Sequence, residues 1–155
     1  MEIILIRHAE TEKPREGVAD LERHLTEEGK EHIQQLVPAL KEKLGPLDQR
    51  TISLWASPAT RALETAQIVG DELSTNISTV HDFIYEGDFG EMSHAVQEME
   101  EGATILMVGH QPNLSDWIKD MTGKDVKVGN GAMLNFKVMK HSPLEAEFQW
   151  EIAAE

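Results

Sequence analysis

Short apolar stretches that run straight into polar, chemistry-bearing residues recur along this chain, and in an open α/β sheet such stretches deliver those residues to the carboxyl edge, where active sites lie. The first is Ile3 to Ile6, followed by Arg7, His8, Ala9, Glu10 and Thr11. The second ends at Leu54 and Trp55; after it Ser57 is expected to cap a helix, Pro58 to take its first position and Arg61 to fall in its first turn. The third is Ile105, Leu106, Met107 and Val108, which leads into Gly109, His110, Gln111, Pro112 and Asn113. Between the last two, Ile84 to Gly90 reads as a glycine-bearing turn with carboxylates at Glu86 and Asp88.

The intervening segments complete an alternating pattern. Arg15 to Arg23 is a polar loop, and Thr26 caps a helix with the apolar face Ile33, Leu36, Val37, Leu40 and Leu44, which Pro38 is expected to kink or interrupt. The helix after Ser57 buries Ala62, Ala66, Val69 and Leu73, and a strand follows near Ile77 to Val80. Met92 to Met99 reads as a short helix, Thr104 to Val108 as a strand, and Leu114, Trp117, Ile118 and Met121 as one face of a further helix. Two alternating strands, Met133 to Val138 and Glu145 to Ile152, joined through Ser142 and Pro143, make an antiparallel edge. The expected fold is one three-layer α/β/α domain over residues 1–155, with a mostly parallel sheet.

At the strand ends the chemistry points to phosphate. Arg7 offers a planar, permanently charged fork, and His8 is a nucleophile or proton carrier near neutral pH. A basic residue is disfavoured near the positive end of a helix, so Arg61 there suggests an anion that offsets both charges. His110 adds a second imidazole at another strand end. Glu86 or Asp88 has the chemistry of a general acid, although carboxylates are abundant in this chain and solvated turn residues look the same.

Composition removes other classes. With 14 Lys and Arg against 28 Asp and Glu, the net charge of −14 repels nucleic acid and anionic membranes, so neither is an expected partner. The chain has no cysteine, which excludes disulfides, thiolate metal sites and a cysteine nucleophile. His24, His32, His81, His94 and His141 show no metal-ligand spacing, and no glycine-rich cradle suggests a nucleotide, so neither a metal nor another cofactor is expected. His24 falls in the polar loop near the presumed entrance of the site. Without a long apolar stretch at the start, the expected compartment is the cytoplasm.

Taken in order, these motifs resemble the histidine phosphatase superfamily, the phosphoglycerate mutase-like fold. Arg7, His8, Ala9, Glu10 and Thr11 look like its N-terminal signature; Leu25, Thr26 and Gly29, then Ser57, Pro58, Arg61, Ala62, Thr65 and Ala66, the Glu86 turn, Val108, Gly109 and His110, and finally Gly131 and Ala132 match in sequence order. At this length the chain is most similar to the short bacterial phosphohistidine phosphatases of the SixA type. The resemblance implies that His8 attacks phosphorus and becomes a phosphohistidine that water hydrolyses, while Arg7, Arg61 and a protonated His110 hold the phosphoryl oxygens. Thr11 and the backbone around Gln111 are further phosphate-binding positions, Thr11 being equally suited to cap a local turn. A backbone carbonyl is the expected partner of the other His8 ring nitrogen. The substrate is then a phosphorylated protein carrying phosphohistidine, or a small phosphomonoester, for which Glu86 or alternatively Asp88 supplies the acid; a noncatalytic phospho-ligand module is the remaining alternative. Two departures stand out: Ala9 replaces a glycine common after the catalytic histidine, and Pro14 replaces an asparagine of mutase-like members.

Overall fold

The computed structural model describes residues 1–47 and 50–153; residues 48, 49, 154 and 155 of the expected domain lie outside them. Six strands, β1 (Glu2–Arg7), β2 (Thr51–Ala56), β3 (Ile77–Val80), β4 (Ala103–Gly109), β5 (Met133–His141) and β6 (Leu144–Ile152), form one sheet in the order β3-β2-β4-β1-β5-β6. β3, β2, β4 and β1 run parallel, and β5 and β6 add an antiparallel edge. The three-layer architecture expected from the alternating pattern is therefore present.

The layers follow from the pleat. Ile3 and Leu5 point to one face, under α3 (Asp82–Glu86), α4 (Phe89–Gln97) and α5 (Asn113–Thr122), with Met92, Val96, Leu114 and Trp117 in the same core. Ile4 and Ile6 point to the other, under α1 (Glu27–Leu44) and α2 (Thr60–Leu73), with Ile33, Val37, Leu40, Ala62, Ala66 and Val69. Covered on both sides, β1 and β4 read as continuous apolar runs rather than alternating ones.

Five local expectations change. α1 continues through Pro38, because that residue lies on the solvent face, where the unpaired carbonyl one turn back can be hydrated. α2 begins at Thr60, with Ala59 as its N-cap, rather than at Ser57 and Pro58. Ser57 follows the end of β2 and is tied to the sheet: its N–H donates to the Val108 carbonyl at 3.1 Å, and its hydroxyl accepts from Ala59 N–H at 3.2 Å. Ile84 to Gly90 is not a simple turn but the elbow between α3 and α4, and α4 runs from Phe89 rather than from Met92. β5 extends to His141, beyond Val138, and a tight two-residue connection then leads into β6.

Thr26 caps α1 as expected, its hydroxyl accepting from Gly29 N–H at 2.9 Å. Gly29 is required there for a second reason. A Cβ at that position would collide with the Glu10 carbonyl, so the first turn of α1 packs directly on the segment that follows β1.

Candidate active site

Backbone pairing beyond the strand ends brings three side chains together. The Arg7 N–H donates to Ala132 O at 3.0 Å and the His8 N–H to Gly109 O at 3.1 Å, while Ser57 is held to Val108 as described. His8, His110 and Ser57 thus leave adjacent strands at the same edge. The two imidazoles lie with ring centroids 5.2 Å apart. Gly131 and Ala132 serve this junction from the other side: Gly131, at φ +73°, donates its N–H to the Arg7 and His8 carbonyls.

His8 is 8% exposed, and its Nδ1 donates to the carbonyl of Ala9 at 2.7 Å. That bond places the proton on Nδ1 and leaves a lone pair on Nε2. Burial pushes the His8 pKa down to about 4; the Ala9 bond opposes this, and the charges of Arg61, Arg7 and Arg23 reinforce it. Ala9 is itself anchored, its N–H donating to Thr65 Oγ1 at 3.2 Å, and Thr65 in turn donates to the Arg61 carbonyl at 2.9 Å. Its methyl group is fully buried and its φ is not positive, so alanine fits where glycine is common.

His110, 5% exposed, has Nε2 at 2.7 Å from the Ser57 hydroxyl. Burial, followed by repulsion from His8 when that ring is protonated and from Arg61, pushes its pKa down to about 3. Burial thus favours a neutral His110 ring, and the protonated form that the resemblance implies is one held beside a phosphoryl dianion.

Three arginines surround this pair. Arg61, 5% exposed in the first turn of α2, donates through Nη1 to the Asp20 carbonyl at 2.6 Å and through Nη2 to Asp20 Oδ2 at 3.0 Å. Arg7 donates through Nη1 to Val128 O at 2.8 Å. Arg23 grips Asp20 Oδ1 through Nη2 at 2.9 Å and reaches Thr11 Oγ1 and Glu12 O through Nη1 at 3.0 and 2.9 Å. Tyr85 completes the mouth: its hydroxyl donates to Asp20 Oδ2 at 2.6 Å, and its ring stands perpendicular to His110 at 5.5 Å. The Tyr85 hydroxyl and Arg23, then Arg61, hold the Asp20 carboxyl well below the usual carboxylate range.

Arg7 Nε, Arg61 Nε and His110 Nδ1 are buried, and no acceptor among the described residues meets them. Buried polar atoms without partners are rare and need a reason. The charges of Arg61 and Arg7 act on His8 and the His110 ring lies 5.2 Å from its ring, so the groups that carry these atoms flank His8 and suit an anion.

The other positions singled out in the sequence have the following partners. Thr11 is turned to Arg23. The Gln111 side chain folds back on Ser115, accepting from its N–H at 3.0 Å and donating to its hydroxyl at 2.6 Å. Glu86 is the exposed last residue of α3, and Asp88 caps α4 by accepting from Glu91 N–H at 3.1 Å. His24 pairs with Glu64 at 3.2 Å on the surface. Pro14 is exposed. Asp20, Arg23 and Tyr85 were not singled out in the sequence; the signal that marks the first two is an acid and a base three residues apart just before Leu25 and Thr26. Among the described residues, no three His, Asp or Glu side chains gather as metal ligands, and no helix is long and apolar enough to cross a membrane.

The model of the histidine phosphatase superfamily (branch 1) matches residues 3–126. The chain belongs to the histidine phosphatase superfamily. It is accordingly a phosphatase of the histidine-nucleophile class. No curated protein sequence matches this histidine phosphatase. Among solved structures, the protein histidine phosphatase SixA complexed with tungstate superposes with a TM-score of 0.85 at 23% identity, over 99% of this chain and 97% of that one. A protein described as a SixA phosphohistidine phosphatase from Agrobacterium tumefaciens gives 0.81 at 17%, over 99% and 97% of the two chains. A mycobacterial glucosyl-3-phosphoglycerate phosphatase gives 0.75 at 12%, over 99% of both chains. At these identities the likenesses establish a shared fold, and it is shared by proteins named for protein-borne and for small-molecule phosphates.

Proposed function

We propose that the domain formed by residues 1–155 hydrolyses protein-borne phosphohistidine through a covalent phosphohistidine on Nε2 of His8. The observation that carries this reading is the state of His8: buried, neutral, with Nδ1 committed to Ala9 O and the Nε2 lone pair available. In the first step Nε2 bonds to phosphorus as the bond to the leaving imidazole breaks. Arg7, Arg61 and His110 offset charge on the equatorial oxygens. In the second step water attacks the same phosphorus, Nε2 leaves with its electron pair, and inorganic phosphate is released.

The identity of the leaving group follows from acid chemistry. An alkoxide needs a positioned proton donor, whereas a phosphohistidine releases an imidazole that leaves readily. Glu86 is exposed, and Asp88 is occupied at the start of α4. That arrangement favours phosphohistidine over a phosphomonoester. The test is phosphate release from a phosphohistidine-bearing protein domain and from an aryl phosphate, side by side. Faster release from the domain, with an acid-labile phosphoryl group trapped on His8, supports the reading; preference for the aryl phosphate moves the assignment to a small-molecule phosphomonoesterase.

A further inference from the structure

Asp20 occupies an unusual place for a carboxylate, between two arginines at the mouth of an anion site. Its Oδ1 accepts from Arg23, its Oδ2 from Arg61 and Tyr85, and its own carbonyl takes the remaining Arg61 Nη group. Arg61 is thereby divided: both Nη groups face Asp20, while Nε stays buried and unmet by any described residue. Two oxygens each gripped by a guanidinium, with a hydroxyl as a further donor, reproduce the way a phosphoryl group is held.

The attachment of Asp20 to the body is polar. The 3₁₀ turn Asp20–Glu22 buries no residue, its N-cap Ala19 offers no side-chain bond, and the Asp20 side chain is 49% exposed. Its polar ties are those to Arg61, Arg23 and Tyr85, together with the bonds of Arg23 to Thr11 and Glu12. The Arg61 side chain is buried and the Asp20 side chain is 49% exposed, so the carboxylate can leave toward solvent without unpacking the core.

We propose that Asp20 is an internal anion on the phosphoryl-reading arginines, displaced by the phosphoryl group of the substrate; this rests on the assignment of Arg61 to phosphoryl binding made above. Asp20 then sets specificity at the mouth. Weakly bound carboxylates fail to dislodge it, a phosphoryl dianion succeeds, and its return to Arg61 hastens the departure of inorganic phosphate.

The experiment is orthophosphate binding by calorimetry to the full chain and to Asp20→Asn, Tyr85→Phe and Arg61→Ala. If the Asp20-free form makes up on the order of one tenth of the wild-type molecules, Asp20→Asn binds phosphate about tenfold more tightly. Tyr85→Phe, which removes one donor to Asp20 and leaves the arginines, tightens binding by a smaller factor, and Arg61→Ala loses it. Unchanged or weaker binding in Asp20→Asn, or no binding to any of the four proteins, overturns the proposal. Should Asp20→Asn fail to fold, Tyr85→Phe decides by the same sign. Turnover is read separately: tighter binding in Asp20→Asn with no phosphohistidine hydrolysis by the wild type sinks the phosphatase reading alone, whereas hydrolysis without tightening sinks this one.

Discussion

A carbonyl one residue away decides the chemistry available to His8. The Nδ1 bond to Ala9 O fixes the tautomer, and burial keeps the ring neutral. Replacing His8 with alanine removes the proposed nucleophile and should lower turnover by about 10³-fold or more while the far-ultraviolet circular dichroism stays unchanged. Activity surviving in pure His8→Ala protein contradicts the role.

The two depressed histidines also make a stability prediction. In the unfolded chain both titrate near 6.5, about the ordinary value; in the folded chain His8 titrates at about 4 and His110 at about 3. Between these limits the unfolded state binds protons that the folded state refuses, so stability is full above pH ~6.5 and falls as the pH drops toward ~3. Urea midpoints should be level between pH about 8 and 7 and decline from about 6.5 downward, and a midpoint that holds at pH about 4.5 contradicts the burial of neutral imidazoles. At this scale the sequence was most informative about residues next to apolar runs, because a strand end fixes where Arg7, His8 and His110 emerge. It was silent on Asp20, Arg23 and Tyr85, whose positions depend on how a loop and a short helix fold across the strand ends.

Among the elements, α1 carries an internal proline without a break, so the residue costs stability and returns nothing visible in packing. Pro38→Ala should restore a backbone hydrogen bond on the exposed face and raise the unfolding free energy by roughly 1–2 kcal/mol, measured by urea titration. A loss of stability instead would show that the ring restricts the unfolded chain more than it harms the helix. The α3–α4 elbow responds in the opposite direction. Gly87 has φ +79°, and a Cβ there would stand 2.5 Å from Asn113 Oδ1. Asn113 Nδ2 donates to Tyr85 O at 3.0 Å and Trp117 Nε1 to Gly87 O at 3.2 Å, so α5 holds the elbow that presents Tyr85. Gly87→Ala should destabilise the protein by about 1–3 kcal/mol in the same titration. Helix periodicity revealed α1, α2 and α5, each with a long apolar face. It could not reveal α3, because five residues carry less than two turns of pattern, and it misplaced the start of α2, because Ser57 is a good cap that the sheet had already claimed.

Over the whole molecule, the strand that carries Arg7 and His8 sits inside the sheet, with Ile3 paired to Ile105 on one side and to Phe136 on the other. The parallel and antiparallel portions therefore meet at β1, and both cores contain its side chains. A consequence concerns the order in which the protein comes into being. Among the strands of this sheet β1 is synthesised before both of its neighbours, β4 and β5, and closing so long a loop is slow. No N-terminal fragment ending before β4 should display phosphatase activity, and a nascent chain should remain inert and sensitive to protease until β5 has emerged.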